Sequence, residues 1–350
     1  HQGPAPSGFH RPTREGPNVS QLSNLLIPAV LFFALGILAR LIKSDLRFPP
    51  DLAKILSIYL LVSIGLHGGF ELAKAELGTA LASILWALAL GFLLPLAGFA
   101  LLIATRRVDA LNAAAIAAHY GSVSAGTFLT AIAYLGNQGI EYERYPLIML
   151  AVMESPAIVV GLLLATWSRG RAATAGGAPS AGGNAHLGEI VREAFTNGSV
   201  VLLIGSMVIG ALASEKSVDA LHPFTTDIFM GMLCLFLLEM GMEAGHRFGD
   251  FRRVGLVLGA FGLLMPLVGG IVGVLVGHYG LGFGVGGTTL VAVLGASASY
   301  IAVPPAMRLA IPEANPSFYL TLALGVTFPF NVVIGIPLYH RLAEAAVGTG

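Results

Sequence analysis

Two stretches of sequence decide the fold. The first reads AHYGSVSAGT over residues 118–127, and the second reads GASASYIAVPP over residues 295–305. Each lies in the middle of a long apolar segment, where glycines, small hydroxyl side chains or a proline pair interrupt a helix. Lipid cannot satisfy the backbone groups that such a break frees, so each break must be buried or must line a water-filled cavity. The sequence therefore predicts two discontinuous membrane helices.

The composition supports a membrane protein. Of the 350 residues, 55% are hydrophobic and 11% are charged, whereas about 25% are charged in an average soluble domain. Apolar segments of about 17–25 residues, long enough to cross a hydrocarbon core of about 30 Å, recur along the whole chain. The sequence therefore predicts an all-α polytopic membrane protein that lies in a lipid bilayer.

Ten transmembrane helices are predicted. They cover residues 24–42, 52–70, 78–104, 108–135, 145–167, 197–214, 226–245, 255–278, 286–311 and 317–340. The polar segment 1–20 is expected to be a disordered tail or a remnant outside the fold, and 343–350 a C-terminal tail. Residues 168–196, with a run of Ala, Gly, Ser and Thr, are predicted to form a cytoplasmic linker. The two halves are then residues 21–167 and 197–342.

The charges indicate orientation and exclude some functions. The formal net charge is zero, which argues against nucleic-acid binding. Lys and Arg are concentrated in one set of loops, which predicts that both termini lie outside and that the linker lies in the cytoplasm. The single cysteine, Cys234, permits no internal disulfide and no cysteine-based metal site, and its apolar neighbours suggest a packed thiol.

The two halves resemble each other at an offset of 171–176 residues. LGILA at 35–39 matches IGALA at 209–213, LLPL at 93–96 matches LMPL at 264–267, and SVS at 122–124 matches SAS at 297–299. Because each half has an odd number of predicted helices, the second must enter the membrane from the opposite side. Such an inverted repeat places a substrate site near the bilayer midplane and supplies two related conformations for alternating access.

The predicted breaks suggest an anion site and a cation site. A helix that begins at a break directs the positive end of its dipole into the gap, and serine hydroxyls add donors, so a small anion rich in oxygen is expected there. The exposed carbonyls and hydroxyls, together with a carboxylate, could also hold a sodium ion. The alternative is that Ser and Gly merely allow close helix packing, but the repetition of the pattern in both halves favours a site.

At these residues the chain resembles the cyanobacterial-type sodium-dependent bicarbonate transporter (permease) family, from about Leu25 to about Leu342. The resemblance rests on the breaks and on several short motifs. These are GSVS at 121–124 with Thr127, MESPA at 153–157, MGMEA at 240–244, and Pro304-Pro305 followed by Arg308, Ile311-Pro312 and ANPS at 314–317.

The resemblance implies a ten-helix, inverted-repeat homotrimer that takes up bicarbonate with sodium and can bind a cytoplasmic regulator of the PII type. It implies no enzymatic activity, no cofactor, and no metal beyond sodium as a possible coupling ion. The expected substrate-binding residues are Gly121, Ser122, Ser124, Gly126, Thr127, Ser297, Ser299 and Tyr300. The expected cation-binding residues are Glu154, Ser124 and Ser299.

The chain also departs from the family pattern. Tyr300 stands where the family has an aspartate, and Glu154 replaces an aspartate in the first half. A lost carboxylate weakens the case for sodium coupling, so the alternative is a transporter of another small anion or carboxylate, coupled to protons through His119 or Glu154, or uncoupled. A membrane enzyme or sensor is a third hypothesis, but only His119 beside Ser122 resembles a base and nucleophile.

Other polar residues in apolar spans have structural explanations. Packing against the adjacent break is expected for His119. For Glu243, an ion pair with Arg247, four residues later on one helix face, is expected. Glu239 has no evident role. The glycines at 269, 273 and 277 lie on one helix face and predict close helix packing, and the glycine-rich stretch 282–287 predicts a turn between spans.

Overall fold

The computed structural model describes residues 28–49, 51–73, 76–174 and 198–348, and every regular element in these ranges is a helix. The predicted tail at 1–20 and most of the predicted linker lie outside the described residues. The helices of the first half are α1 (Pro28–Leu41), α2 (Leu52–Leu72), α3 (Leu77–Thr105), α4 (Ala110–Gly121), α5 (Ala125–Asn137) and α6 (Tyr145–Thr174). Those of the second half are α7 (Gly198–Leu212), α8 (Glu215–His222), α9 (Phe229–Arg247), α10 (Phe251–Leu275), α11 (Val285–Gly295), α12 (Val303–Ala310) and α13 (Pro316–Gly348).

Among the described residues, six helical stretches are long and apolar enough to cross a membrane. They are Leu52–Phe70, Leu77–Thr105, Tyr145–Arg171, Glu215–Arg247, Val254–Gly280 and Pro316–Gly348. Three further apolar helices are shorter: Pro28–Leu41, Val201–Leu212 and Val285–Gly295. The protein is therefore a multi-pass, all-α membrane protein, and the full ten-span layout stays a prediction.

Both predicted helix breaks are present. The backbone is not helical at residues 122–124, between α4 and α5, or over residues 296–302, between α11 and α12. Each predicted fourth span thus consists of two shorter helices that meet at the quoted motif.

Two local predictions at helix boundaries were wrong. The stretch after residue 214 is helical and not a loop, since α8 continues through a π-helical turn at Pro223–Asp227 into α9. The sequence of α8 itself is polar and the helix buries no residue, so α8 carries no apolar pattern of its own. The second difference is at α6, which continues to Thr174 although the predicted span ends at residue 167.

The helices form two groups. In the first, which we call the crossing group, α1 packs on α9 and α2 packs on both α7 and α9, so helices of the two halves pair with each other. The second, the broken-helix group, contains α3 to α6 and α10 to α13. Within it, α11 contacts α5 and α6, and α12 contacts α6, so the broken helices of both halves lie side by side.

Glycines set the close approach of the crossing helices. Gly36 on α1 lies against the backbone carbonyl of Leu238 on α9, and Gly241 on α9 lies against that of Phe33. In the other pair, Gly210 on α7 lies against the carbonyl of Leu66 on α2. A Cβ atom at any of these glycines would collide with backbone, so the pattern is one of close helix packing.

The predicted packing of α10 is confirmed. Its glycine stripe lies against α11, where Gly269 meets Gly295 and Gly273 meets Ala292. The glycine-rich stretch after α10 forms a turn, in which Gly282 has a φ of 68° that favours glycine.

Candidate functional site

The two helix breaks are joined by a main-chain hydrogen bond. The backbone N–H of Ser299, in the second break, donates to the carbonyl oxygen of His119, at the end of α4, over 2.8 Å. The breaks therefore lie side by side, as expected for a site built from both halves.

In the first break, Ser124 caps the start of α5. Its Oγ accepts hydrogen bonds from the Thr127 backbone N–H at 3.1 Å and from the Thr127 hydroxyl at 2.9 Å. Serine is a preferred N-cap because its hydroxyl satisfies an N–H group that has no partner within the helix. The first turn of α5 therefore presents N–H groups at the break, as the sequence predicts.

In the second break, the two serines have different partners. The Ser299 Oγ accepts from the Val303 backbone N–H at 3.4 Å, at the start of α12. The Ser297 hydroxyl instead donates back to the carbonyl of Val293 in α11 at 2.6 Å. Because the Ser297 hydroxyl already donates its proton within the helix, it is less available than the Ser299 hydroxyl as a hydrogen-bond donor to a ligand.

A small cavity of about 20 Å³ lies between the breaks. This is room for about one water-sized group. Its lining is Ser57, Leu61, Val123, Ser124, Ala125, Glu154, Ser299, Tyr300, Ile301 and Ala302. All three residues predicted to bind a cation, Glu154, Ser124 and Ser299, line this one cavity, as does Tyr300.

Glu154 places a carboxylate at the cavity wall. The residue is 8% exposed, and its Oε2 has no hydrogen-bond partner among the described residues. Oxygen ligands of this kind suit a hard cation. The described residues contain no cluster of three His, Cys, Asp or Glu side chains, so hydroxyl and carbonyl oxygens would have to complete the shell of a bound cation.

Tyr300 occupies the space over the start of α5. Its hydroxyl lies against Gly126 and faces Ser124, without completing a hydrogen bond to a described residue. The ring meets Phe328 edge to face, with 5.3 Å between ring centroids. The phenol therefore fills part of the gap into which the α5 dipole points, and it leaves only the small cavity beside it.

The remaining predicted substrate residues surround the cavity without lining it. Gly121 lies against the ring of Pro95 on α3, so a larger residue there would collide with α3. The Ser122 hydroxyl is buried and has no hydrogen-bond partner among the described residues, whereas the Thr127 hydroxyl donates to the Ser124 Oγ. Binding roles for these residues stay predictions.

Helix α13 contacts the second break and the end of α4 through two residues that the sequence motifs do not include, Thr327 and Asn331. The side-chain amide of Asn331 donates to the carbonyl of Ala296 in the second break at 2.8 Å, and it accepts from the Tyr339 hydroxyl at 3.0 Å. The Thr327 hydroxyl donates to the Gly262 carbonyl and lies 2.7 Å from the hydroxyl of Tyr120. Asn331 could have been found from the sequence, because it is a single amide side chain inside an apolar span.

His119 is packed as expected. Its ring stacks on Tyr319 at 4.3 Å between centroids and 22° between planes, and its Nδ1 bonds the Ala115 carbonyl at 2.6 Å. The expected ion pair between Arg247 and Glu243 is also confirmed, at 2.9 Å. Cys234 is a buried free thiol.

Two larger cavities lie along the seam between the crossing group and the broken-helix group. The first, of about 680 Å³, is bounded by α2, α7, α9, α12 and α13, and it reaches Tyr300 and Ser57. We call it the basic vestibule because Lys54, Arg247 and Arg308 line it. The second, of about 190 Å³, lies at the other end of α2 and includes Ser63 and Arg144, and we call it the narrow vestibule.

The fold and these cavities define a class of protein, a multi-pass membrane protein with discontinuous helices joined at a buried polar centre. A family model described as the Na+-dependent bicarbonate transporter superfamily matches residues 28–344. The chain belongs to this superfamily, which is one of transporters and not of enzymes. No individual curated protein is matched by the chain.

Proposed function

We propose that the chain is a secondary transporter that takes up a small inorganic anion, bicarbonate first, together with sodium. The observation that carries this proposal is the shared cavity, which Glu154 lines together with Ser124 and Ser299 from the two helix breaks. Sodium would be held by Glu154, Ser124 and Ser299. The anion would bind beside it, at the N-terminal ends of α5 and α12, in a conformation in which the small cavity is wider than its present volume of about 20 Å³.

The vestibules support an alternating-access mechanism. Both lie on the same seam, at opposite ends of α2, and the small cavity lies between them. The basic vestibule is the larger of the two in the described conformation. Movement of the two helix groups along the seam would widen one vestibule as the other narrows.

The glycine contacts support the inverted repeat. Gly36 and Gly210 are matched positions of the two halves, and each lies against a carbonyl of the partner helix, at Leu238 and Leu66 respectively. The pairs α1 with α9 and α7 with α2 are exchanged by the proposed repeat. The same type of contact, a glycine against a backbone carbonyl of the paired helix, thus occurs in both halves, as an inverted repeat would produce.

Uptake by reconstituted protein tests the proposal. Labelled bicarbonate should enter proteoliposomes when sodium is supplied outside, and uptake should fall when sodium is equal on both sides or is replaced by choline. Ser124→Ala should reduce uptake, whereas Ser214→Ala, at the surface helix α8, should not. Uptake that is indifferent to sodium would remove the coupling.

A second candidate function rests on the position of Tyr300. Because the phenol fills space over α5 and supplies no carboxylate, the site would suit another small anion or carboxylate, coupled to protons or uncoupled. Binding of formate, acetate, nitrate and bicarbonate can be compared in competition experiments. Repeating them with Ser122→Ala and Ser299→Ala separates the candidates. The anion whose binding depends on both serines is the substrate.

The assembly and location are part of the same proposal. A homotrimer in the cell inner membrane, with both termini outside and a PII-like regulator on the cytoplasmic face, is expected from the family resemblance. Mass measurement of the purified protein and protease accessibility of tags at each terminus test the oligomer and the orientation.

A further inference from the structure

The basic vestibule is larger than transport of a small inorganic ion requires. Its volume of about 680 Å³ lies within the range of about 300–1,000 Å³ that is typical of sites for small organic ligands. The bicarbonate ion has only four non-hydrogen atoms, so it would occupy a small part of this space.

The walls of the vestibule are mainly apolar. The apolar residues come from both helix groups, which makes the vestibule a continuous concave surface and not a gap between two loops. They are Ala53, Ile58, Leu61, Leu202, Met240, Ile301, Pro304, Leu320 and Leu324. Such walls favour a ligand with an apolar body.

The charged groups of the vestibule have a net positive charge. Lys54, Arg247 and Arg308 face one carboxylate, that of Glu243, which is paired with Arg247. Lys54 and Arg308 are exposed to the vestibule, and the Arg308 guanidinium also reaches the hydroxyl of Tyr319. Two cationic side chains from different helices are thus available to a negative group.

A buried hydroxyl adds a polar group at the inner end. Ser57 is 9% exposed, its Oγ has no hydrogen-bond partner among the described residues, and it lines both the basic vestibule and the small cavity. A ligand that reached Ser57 would lie directly over Tyr300 and the breaks.

From this combination we propose that the basic vestibule binds a small amphipathic organic anion, with its negative group at Lys54 and Arg308 and its apolar body against α2, α9 and α13. A bound molecule would block the passage between the vestibule and Tyr300 and would therefore inhibit transport. The binding site does not depend on the proposed transport function; only the inhibition does.

Matched probes test the chemistry of the site. Phenyl phosphate and octanoate carry a charge and an aromatic or aliphatic body, inorganic phosphate and acetate carry the charge alone, and benzyl alcohol carries a body alone. Calorimetry with the purified full chain should show binding of at least one of the first two, about tenfold or more tighter than its small counterpart. Which of the two binds distinguishes an aromatic ligand from a fatty-acid-like one.

Charge variants locate the site. Lys54→Gln and Arg308→Gln should each weaken binding by roughly fivefold, which is the loss expected for one partly exposed charge pair. Arg107→Gln removes an exposed charge that does not line the vestibule, so binding should be unchanged. Each variant should keep the melting temperature of the wild type.

Several results would overturn the proposal. Phosphate and acetate that bind as tightly as their larger counterparts would indicate a simple ion path. Equal binding of benzyl alcohol would indicate an apolar surface without charge selection, and binding that is insensitive to both Lys54→Gln and Arg308→Gln would place the ligand elsewhere. Because binding is measured directly, these outcomes are distinct from a failure of bicarbonate uptake.

Discussion

Tyr300 shows how one side chain can change the shape of the cavity between the two helix breaks. Its phenol lies where the first turn of α5 directs its N–H groups, against Gly126 and facing Ser124. A phenol can donate a hydrogen bond to an anion, but it is a poorer ligand for a cation than the carboxylate that the family resemblance leads us to expect.

Removal of the hydroxyl tests this role. Tyr300→Phe keeps the ring contact with Phe328 and removes the donor, so the KM for the anion should rise by about tenfold, the cost of one hydrogen bond in a buried site. The sodium dependence should stay unchanged. Uptake measured over a range of anion and sodium concentrations separates the two effects.

Two further variants complete this comparison. Tyr279→Phe changes a tyrosine that is 66% exposed and should leave uptake as in the wild type. Tyr300→Asp should increase the dependence on sodium, because a second carboxylate then faces the cavity. A Tyr300→Phe variant with normal anion affinity would show that the hydroxyl only fills space.

Glu154 is the residue at which cation binding can be tested most directly. Glu154→Gln keeps the shape of the side chain and removes its charge, so the sodium concentration for half-maximal uptake should rise by roughly tenfold or more. Glu141→Gln, at an exposed position, is the control. If Glu154→Gln transports with wild-type sodium dependence, the cation does not bind at this cavity.

At the residue scale, the sequence indicated which polar residues line the small cavity better than it indicated their contacts. Ser124, Ser299 and Glu154 could be selected because each is a polar residue at a break or inside an apolar span. The internal bonding of Ser297 and the position of the Tyr300 ring depend on rotamers, and the fold sets these only after the helices have packed.

At the scale of helices, α9 offers a matched pair of glycines. Gly241 lies against the carbonyl of Phe33, whereas Gly231 on the same helix has open space around it. Gly241→Ala should lower stability by about 1–3 kcal/mol, the usual cost of overpacking. Gly231→Ala should raise it by up to about 1 kcal/mol, because alanine is the better helix former.

Thermal unfolding of the two variants in detergent measures the difference. Equal melting temperatures would mean that α1 and α9 can separate without cost, which would contradict the close packing of the crossing group.

The contact between Arg169 and Glu313 predicts a pH dependence. Arg169, on α6, donates to both carboxylate oxygens of Glu313, at 3.2 and 2.8 Å, and to the Ala310 carbonyl. The hydrogen bond from Arg169 lowers the pKa of Glu313 below its usual value. The stabilisation is therefore present at neutral pH and is lost as the pH falls through the lowered pKa.

The wild type should accordingly melt at a higher temperature than Glu313→Gln at pH 7, and this difference should vanish in strong acid. It should be small, because the carboxylate is 45% exposed and solvent screens such pairs. High salt at pH 7 should reduce it further. A difference that grows towards low pH would show that the charged form of Glu313 is not the stabilising one.

Helix boundaries were predictable where a strong local signal existed. The breaks at residues 122–124 and 296–302 were marked by glycine, serine and proline in apolar surroundings. The π-helical segments Thr321–Thr327 and Asn331–Gly335 lie on either side of Pro329. A proline inside an apolar span predicts a disturbed helix but not the form that the disturbance takes.

At the scale of the whole molecule, the seam between the two helix groups should change during transport. Lys54→Cys reports on the basic vestibule, and Ser63→Cys, at a position 1% exposed, reports on the narrow one. Without substrate, Lys54→Cys should react faster with a polar thiol reagent. Sodium with bicarbonate should slow its reaction and speed that of Ser63→Cys.

The low cysteine content makes this experiment practical, since the only native thiol, Cys234, is buried. Ser217→Cys, at an exposed position of the polar helix α8 and outside both vestibules, controls for general effects of the ions. Rates that change in the same direction at both vestibules would contradict alternating access.

The hydrogen bond from Ser299 to His119 uses only main-chain atoms. No substitution at either position, proline at Ser299 excepted, removes its donor or its acceptor. Side chains around the breaks can therefore diverge during evolution while the two halves stay joined at the same point. Under the proposed transport function, we therefore expect the identity of residue 300 to be a better guide to the substrate of this chain than its overall degree of sequence similarity.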